Sequence, residues 1–158
     1  MQNSREPDGR VLTASDIMAS KPGSLESAAG WPVFASSISA GFPSPADDYV
    51  ENRIDLNEYL VQHREATFFL RVQGDSMTPI GIMDGDLLIV DRSLPVVDGN
   101  IVIAVIDGEF TVKQIIRRQA GCVLKAANPA YQDIVVDAEG SLEVWGVVRW
   151  AIHRLWPT

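Results

Sequence analysis

Soft metal ligands and basic residues are what this 158-residue chain has least of. It holds one cysteine, Cys122, and two histidines, His63 and His153. An internal disulfide is excluded, and a zinc site built from the chain's own thiols and imidazoles would run short of ligands. The expectation is a protein without metal or cofactor, in a reducing, cytoplasmic compartment. Lys and Arg number 13 against 21 Asp and Glu, a formal net charge of −8. Affinity for nucleic-acid phosphates rests on Lys and Arg, so autonomous DNA or RNA binding is not expected. Long apolar runs are missing too. The longest, Ile101 to Ile106, falls far short of the roughly 18 residues of a membrane helix, and no membrane association is expected. Ser39-Ala40-Gly41 has the small residues of a signal-peptidase site, but Pro22, Gly23, Glu26, Gly30 and Pro32 occupy the place of the apolar region such a site requires. Export is therefore not expected either.

What is present is 46% hydrophobic residues, enough to close the core of one domain. Residues 1–40 differ from the rest: half are Ser, Ala, Gly or Pro, without sustained helical or alternating period, which reads as a flexible arm. Its one apolar cluster, Trp31-Pro32-Val33-Phe34, either packs back on its own domain or serves as a docking peptide. Gly41-Phe42-Pro43-Ser44-Pro45 then interrupts the chain with two prolines that favour extended backbone. The boundary falls there, between an arm over 1–40 and a domain over 41–158. Asp55 suits the N-cap of a short helix with Leu56, Tyr59 and Leu60 on one apolar face. Short β-branched or aromatic runs follow at 67–72, 87–90, 101–106, 110–116, 122–126, 134–136 and 144–152, separated by Gly, Pro, Asn or Asp. They predict a compact all-β domain of about seven strands. Asp107-Gly108, between two of the runs, predicts a two-residue hairpin turn.

Chemistry has few places to reside. Gly74-Asp75-Ser76-Met77 follows the run ending near Gln73, and Met83-Asp84-Gly85-Asp86 leads into the next, so a serine sits on a tight turn. It is not the G-x-S-x-G elbow, because Thr78 stands where the second glycine belongs. An isolated turn serine ordinarily satisfies its own backbone. To act as a nucleophile it needs a base, either histidine or a lysine kept neutral by burial. His63 lies in the polar stretch Gln62-His63-Arg64-Glu65 and His153 near the C-terminus. Neither has an evident orienting carboxylate, so a Ser-His-Asp triad is not expected. Lys113 belongs to an alternating run in which Glu109, Thr111 and Lys113 share one face and Phe110 and Val112 the other. Thr111 could then orient the amine. Taken alone, that pattern is met more often by a lysine that snorkels on a solvated strand face.

Ala40-Gly41, Gly74-Asp75-Ser76-Met77, Gly81-Ile82-Met83-Asp84-Gly85-Asp86 and Glu109-Phe110-Thr111-Val112-Lys113, taken in order, resemble the landmarks of the LexA/UmuD family of Ser-Lys self-cleaving proteins. Residues 41–46, 47–60 and 107–113 are similar to its UmuD branch nearly residue for residue, and the resemblance covers about residues 31–148. Ser76 follows Ala40 by 36 positions and Lys113 follows Ser76 by 37, in agreement with that branch. The resemblance implies a homodimeric, all-β protein of the SOS response. Such a protein cuts its own arm at Ala40-Gly41 when a RecA filament on single-stranded DNA acts on it. The trimmed dimer then joins a Y-family translesion DNA polymerase subunit of the UmuC kind. By the same resemblance Ser76 is the nucleophile and Lys113 the general base and later proton donor. The backbone N–H groups of Asp75 and Ser76 form the oxyanion hole, and Thr111 orients the lysine. Trp31-Pro32-Val33-Phe34 resembles the segment through which that branch is thought to touch the replicative sliding clamp.

The chain departs from the UmuD branch at Ala40, where that branch has Cys, although Ala-Gly is the usual bond in LexA. It also departs at Thr78-Pro79-Ile80 and in its longer arm, whose residues 1–30 resemble nothing in the family. A LexA-type repressor is not expected: residues 1–40 set Arg5, Arg10 and Lys21 against Glu6, Asp8, Asp16 and Glu26 and cannot supply a basic helix-turn-helix domain. The alternative from another class is a non-cleaving regulatory β-domain that binds the polymerase or RecA.

Overall fold

The computed structural model describes residues 31–34, 40–41, 50–137, 140 and 142–156. Residues 1–30 of the expected arm, and the prolines at 43 and 45 that mark the expected boundary, lie outside the described residues. Among the described residues nine strands succeed one another: β1 (Trp31–Phe34), β2 (Val50–Ile54), β3 (Thr67–Arg71), β4 (Leu87–Asp91), β5 (Ile101–Ile106), β6 (Glu109–Arg118), β7 (Gly121–Lys125), β8 (Ile134–Val136) and β9 (Glu143–Ile152). The all-β expectation holds. All seven predicted runs are strands, with ends displaced by at most two residues. Asp107 and Gly108 turn between β5 and β6 with φ of 52° and 82°, the left-handed pair that a two-residue hairpin between twisted strands requires. Among the described residues no helix is long and apolar enough to cross a membrane.

The last seven strands form one antiparallel sheet in the order β3-β4-β9-β5-β6-β7-β8. β9 is therefore inserted between β4 and β5, pairing Val90 with Val148 on one side and Val102 with Val147 on the other. Its approach to β4 is close enough that a Cβ on Gly146 would stand 2.7 Å from Val90 Cγ1 and 3.2 Å from the Asp91 carbonyl oxygen, so only glycine fits. Alternation along the strands sends side chains into two clusters. Val72, Met77, Ile82, Leu88, Val90, Ile103 and Trp145 make one, with Phe68 and Phe110 tilted against the Trp145 ring at 5.0 and 5.1 Å. Val102, Ala104, Ile115, Leu124 and Val147 make the other.

Two local features go beyond the sequence reading. Helix α1 (Leu56–Leu60) starts where predicted, with the Asp55 carboxylate accepting from Asn57 N–H at 2.8 Å. Its apolar face is not buried, however: Leu56 is 45% and Tyr59 52% exposed. A helix of barely more than one turn cannot carry three side chains into the core, and only Tyr59 finds a ring, Trp150, at 5.3 Å. The second is β2, which no alternation announced because Glu51, Asn52 and Arg53 fill its middle. It pairs with β1 from Trp31↔Ile54 to Phe34↔Val50. The backbone of Trp31-Pro32-Val33-Phe34 thus turns back to pair with its own chain. That pairing joins the two sides of the Ala40-Gly41 bond.

Candidate active site

Ser76 owes its position to the residue after it. Met77 is 1% exposed and plugs the cluster around Trp145, while Asp75 before it is exposed, so the chain surfaces at Ser76 and dives again. Carboxylates hold the two ends of this turn together. Gly74 N–H donates to Asp84 Oδ1 at 2.6 Å and Met83 N–H to Asp86 Oδ2 at 2.7 Å. Val72 and Gly85 close the base, Val72 N–H donating to the Asp86 carbonyl at 2.8 Å and Gly85 N–H to that of Val72 at 2.9 Å. The Thr78-Pro79-Ile80 departure from the family's wording forms a single 3₁₀ turn. It is stiffened by Pro79 and closed by Gly81, which donates to the Thr78 carbonyl at 2.9 Å in the left-handed conformation.

Lys113 reaches this turn from the sheet. It sits on β6 opposite Val102, and Thr111 opposite Ala104, so the face they share is apolar rather than solvated. Lys113 is 7% exposed, and its Nζ stands 3.1 Å from Ser76 Oγ, 3.1 Å from Thr111 Oγ1 and 3.0 Å from the Val112 carbonyl oxygen. Among the described residues no carboxylate pairs with it. Burial without a countercharge holds the amine below its ordinary pKa. A neutral amine has two N–H bonds and one lone pair. With Thr111 Oγ1 and Val112 O accepting the two hydrogens, the lone pair is left to face the hydroxyl of Ser76.

Ala40 and Gly41 are exposed, and among the described residues a Cβ on Gly41 would meet nothing within 4 Å. The two histidines are remote from Ser76 in their bonding, but the expectation that they lack carboxylates is wrong. His63 Nδ1 lies 2.6 Å from Asp91 Oδ2 and His153 Nδ1 lies 2.6 Å from Asp86 Oδ1. Ser93 completes no triad, since its hydroxyl bonds to Asp91 rather than to His63. The residues bracing the Ser76 turn were missed. Asp84 and Asp86 stood among the landmarks without a role, and Asn128 and Tyr131, which bond to Asp75 and Ser76, carried no signal at all.

Comparison with known proteins supplies the family. Residues 32–149 match the family model described as Peptidase S24-like. Protein ImpA of Escherichia coli is 44% identical over 124 residues, 78% of this chain and 83% of that protein. Protein MucA of Salmonella typhimurium is 47% identical over 118 residues, 74% of this chain and 80% of that protein. The LexA repressor of Psychromonas ingrahamii is 40% identical over 111 residues, which is 70% of this chain but 53% of the repressor. A match so broad, with a serine and a buried amine brought together at the turn, leaves one assignment: the chain belongs to the Peptidase S24-like family of self-cleaving serine peptidases, the LexA/UmuD group that its landmarks resemble.

Proposed function

We propose that this protein cuts its own chain at Ala40-Gly41, with Ser76 as nucleophile and Lys113 as base, and that a RecA filament on single-stranded DNA triggers the cut. The observation that carries the reading is the 3.1 Å approach of Ser76 Oγ to an amine that is buried among neutral acceptors. As Ser76 Oγ attacks the Ala40 carbonyl carbon, its proton passes to Lys113 Nζ. Negative charge gathers on the carbonyl oxygen, where the N–H groups of Ser76 and Asp75 receive it. The C–N bond then breaks, Lys113 gives the proton to the departing Gly41 nitrogen, and residues up to Ala40 remain as an ester on Ser76. Water, deprotonated by the again neutral Lys113, hydrolyses that ester and restores the serine. Thr111 holds the amine in line throughout.

The exposure of Ala40 and Gly41 supports a regulated reaction. A tethered substrate has a high effective concentration, so an arm already seated at Ser76 would be cut at once. The filament's part in this reading is to shift the arm toward the seated state rather than to donate a catalytic group. The family resemblance supplies the role of the product: the trimmed protein, as a homodimer, serves a Y-family translesion polymerase in SOS mutagenesis. Contact of Trp31–Phe34 with a sliding clamp belongs to the same reading.

Denaturing intact-mass spectrometry tests it, because it registers the cut even where β1 stays paired with β2. The full chain is incubated at pH 7.5 with RecA, an ATP analogue and single-stranded DNA, and separately near pH 10 without them. Loss of residues 1–40 under both conditions, absent in Ser76→Ala, is the expected result. A chain left whole under both would overturn self-cleavage in favour of a non-cleaving module that binds polymerase or RecA.

A further inference from the structure

A second loop grips the turn that carries Ser76. Between β7 and β8 the chain bends at Asn128-Pro129-Ala130-Tyr131 and braces itself: Ala130 N–H donates to Asn128 Oδ1 at 3.0 Å and Tyr131 N–H to the Asn128 carbonyl at 3.1 Å. From this bend three hydrogen bonds reach two consecutive residues. Asn128 N–H donates to the Ser76 carbonyl at 2.9 Å, Asn128 Nδ2–H to the Asp75 carbonyl at 3.2 Å, and Tyr131 O–H to Asp75 Oδ1 at 2.5 Å. Thr78 Oγ1–H holds the same Asp75 carbonyl at 2.9 Å from within the turn.

A trans peptide unit is planar, and its C=O and N–H point in opposite directions. Donors fixed on the Asp75 carbonyl oxygen therefore fix the direction of the Ser76 N–H. Among the described residues the N–H groups of Asp75 and Ser76 donate to no acceptor, which leaves both open to an oxygen that gathers charge. We infer that the Asn128–Tyr131 bend is the positioning device of the oxyanion hole, the Asn128 amide and the Tyr131 hydroxyl orienting the Asp75–Ser76 peptide toward the bond being cut. The inference rests on the self-cleavage reading. Both are positioning residues, acting through Asp75 and Ser76. The hydrogen bond to Asp75 and its charge push the Tyr131 phenol above its ordinary pKa, which keeps the hydroxyl a donor to higher pH than a free phenol.

Asn128→Asp separates this role from plain loop bracing. An aspartate there still accepts from Ala130 N–H, but it has no hydrogen to give the Asp75 carbonyl. If Asn128 only braced its own bend, this variant would cut like the wild type. The expected result is a first-order cleavage rate lowered about tenfold in both Asn128→Asp and the uncharged Asn128→Ala, and about threefold in Tyr131→Phe. Rates are read on the full chain by denaturing mass spectrometry from pH 7 to 11, with thermal melts alongside to show that each variant is folded. In Asn128→Ala and Tyr131→Phe the whole profile falls while its inflection, set by Lys113, stays where the wild type has it. Cleavage by folded Asn128→Asp within twofold of the wild type, or a displaced inflection in the uncharged variants, overturns the positioning role and leaves self-cleavage standing. A wild-type chain that remains uncut across the series overturns the self-cleavage reading and this inference with it.

Discussion

Ionisable groups are buried on opposite terms at the two ends of β4 and at the middle of β6. Asp86 and Asp91, 2% and 1% exposed, each face an imidazole nitrogen and a backbone N–H. Among the described residues Lys113, 7% exposed, faces a serine hydroxyl, a threonine hydroxyl and a carbonyl but no carboxylate. Burial pushes the Asp91 carboxyl up, yet hydrogen bonds from the Ser93 hydroxyl, His63 and the Ser93 backbone, with the charge of His63, bring it below the ordinary carboxylate value. At Lys113 burial holds the amine below its ordinary value. The aspartates use charge to fasten segments that are distant in sequence: His63 ties the stretch before β3 to the end of β4, and His153 ties the tail to the residue that supports Met83. The lysine is held so that its charge can be given up, which is what a base must do.

The largest effect should come from removing that freedom. In Lys113→Arg the guanidinium stays protonated at any accessible pH. Self-cleavage is expected to fall by about 10⁴-fold or more and not to recover on raising the pH, as followed by mass spectrometry over days. A variant that cuts at a wild-type rate would remove Lys113 from the role of base.

Breaking the opposite arrangement should cost stability first. Asp91→Ala takes the shared acceptor from the Ser93 N–H and hydroxyl and from the His63 ring, all on exposed residues that water can then reach, and the loss of the buried hub is expected to cost about 2 kcal/mol in urea unfolding. Asp91→Asn, which keeps an oxygen for the Ser93 N–H, should cost about half as much. A group with a lowered folded pKa contributes stability above its unfolded value and loses it as pH falls through the folded one. The wild type should therefore lose part of its advantage over Asp91→Asn from about pH 4 downward. A loss under 1 kcal/mol in Asp91→Ala would make the pair no more than a surface contact.

Local chemistry made the strands and the hairpin legible: β-branched runs, the Asp107-Gly108 pair and the Asp55 cap each act within a few residues. Strand order was not legible. The insertion of β9 between β4 and β5 depends on pairings about sixty residues apart along β4 and about forty along β5, which no window of sequence contains. The same distance hid the histidine partners, which lie 28 and 67 residues away. At the site, alternation correctly grouped Thr111 with Lys113 but could not say whether their face was wet. That depended on Ala104 and Val102 across the hairpin, and the join to Ser76 was legible only through the order of the family's landmarks.

The subtlest test asks whether the burial of Lys113 carries a cost at all. Lys113→Met keeps a long unbranched side chain and removes the charge. Because the folded amine has a lowered pKa, the unfolded chain binds its proton more tightly. Below the folded value the cost of burying the ammonium is present in full. Between that value and the ordinary one near ~10.4 the unfolded state carries the additional proton, so this residue's contribution to stability rises with pH through the window. Methionine has no such dependence. The variant should exceed the wild type by about 1 kcal/mol at pH 7, and the gap should narrow as pH approaches ~10.4. Paired thermal melts at the two pH values read the difference. A gap that does not change with pH would trace to packing of the thioether alone. A variant less stable at pH 7 would mean that the hydrogen bonds to Ser76, Thr111 and Val112 outweigh desolvation, and the contrast between the two buried groups would then be one of degree.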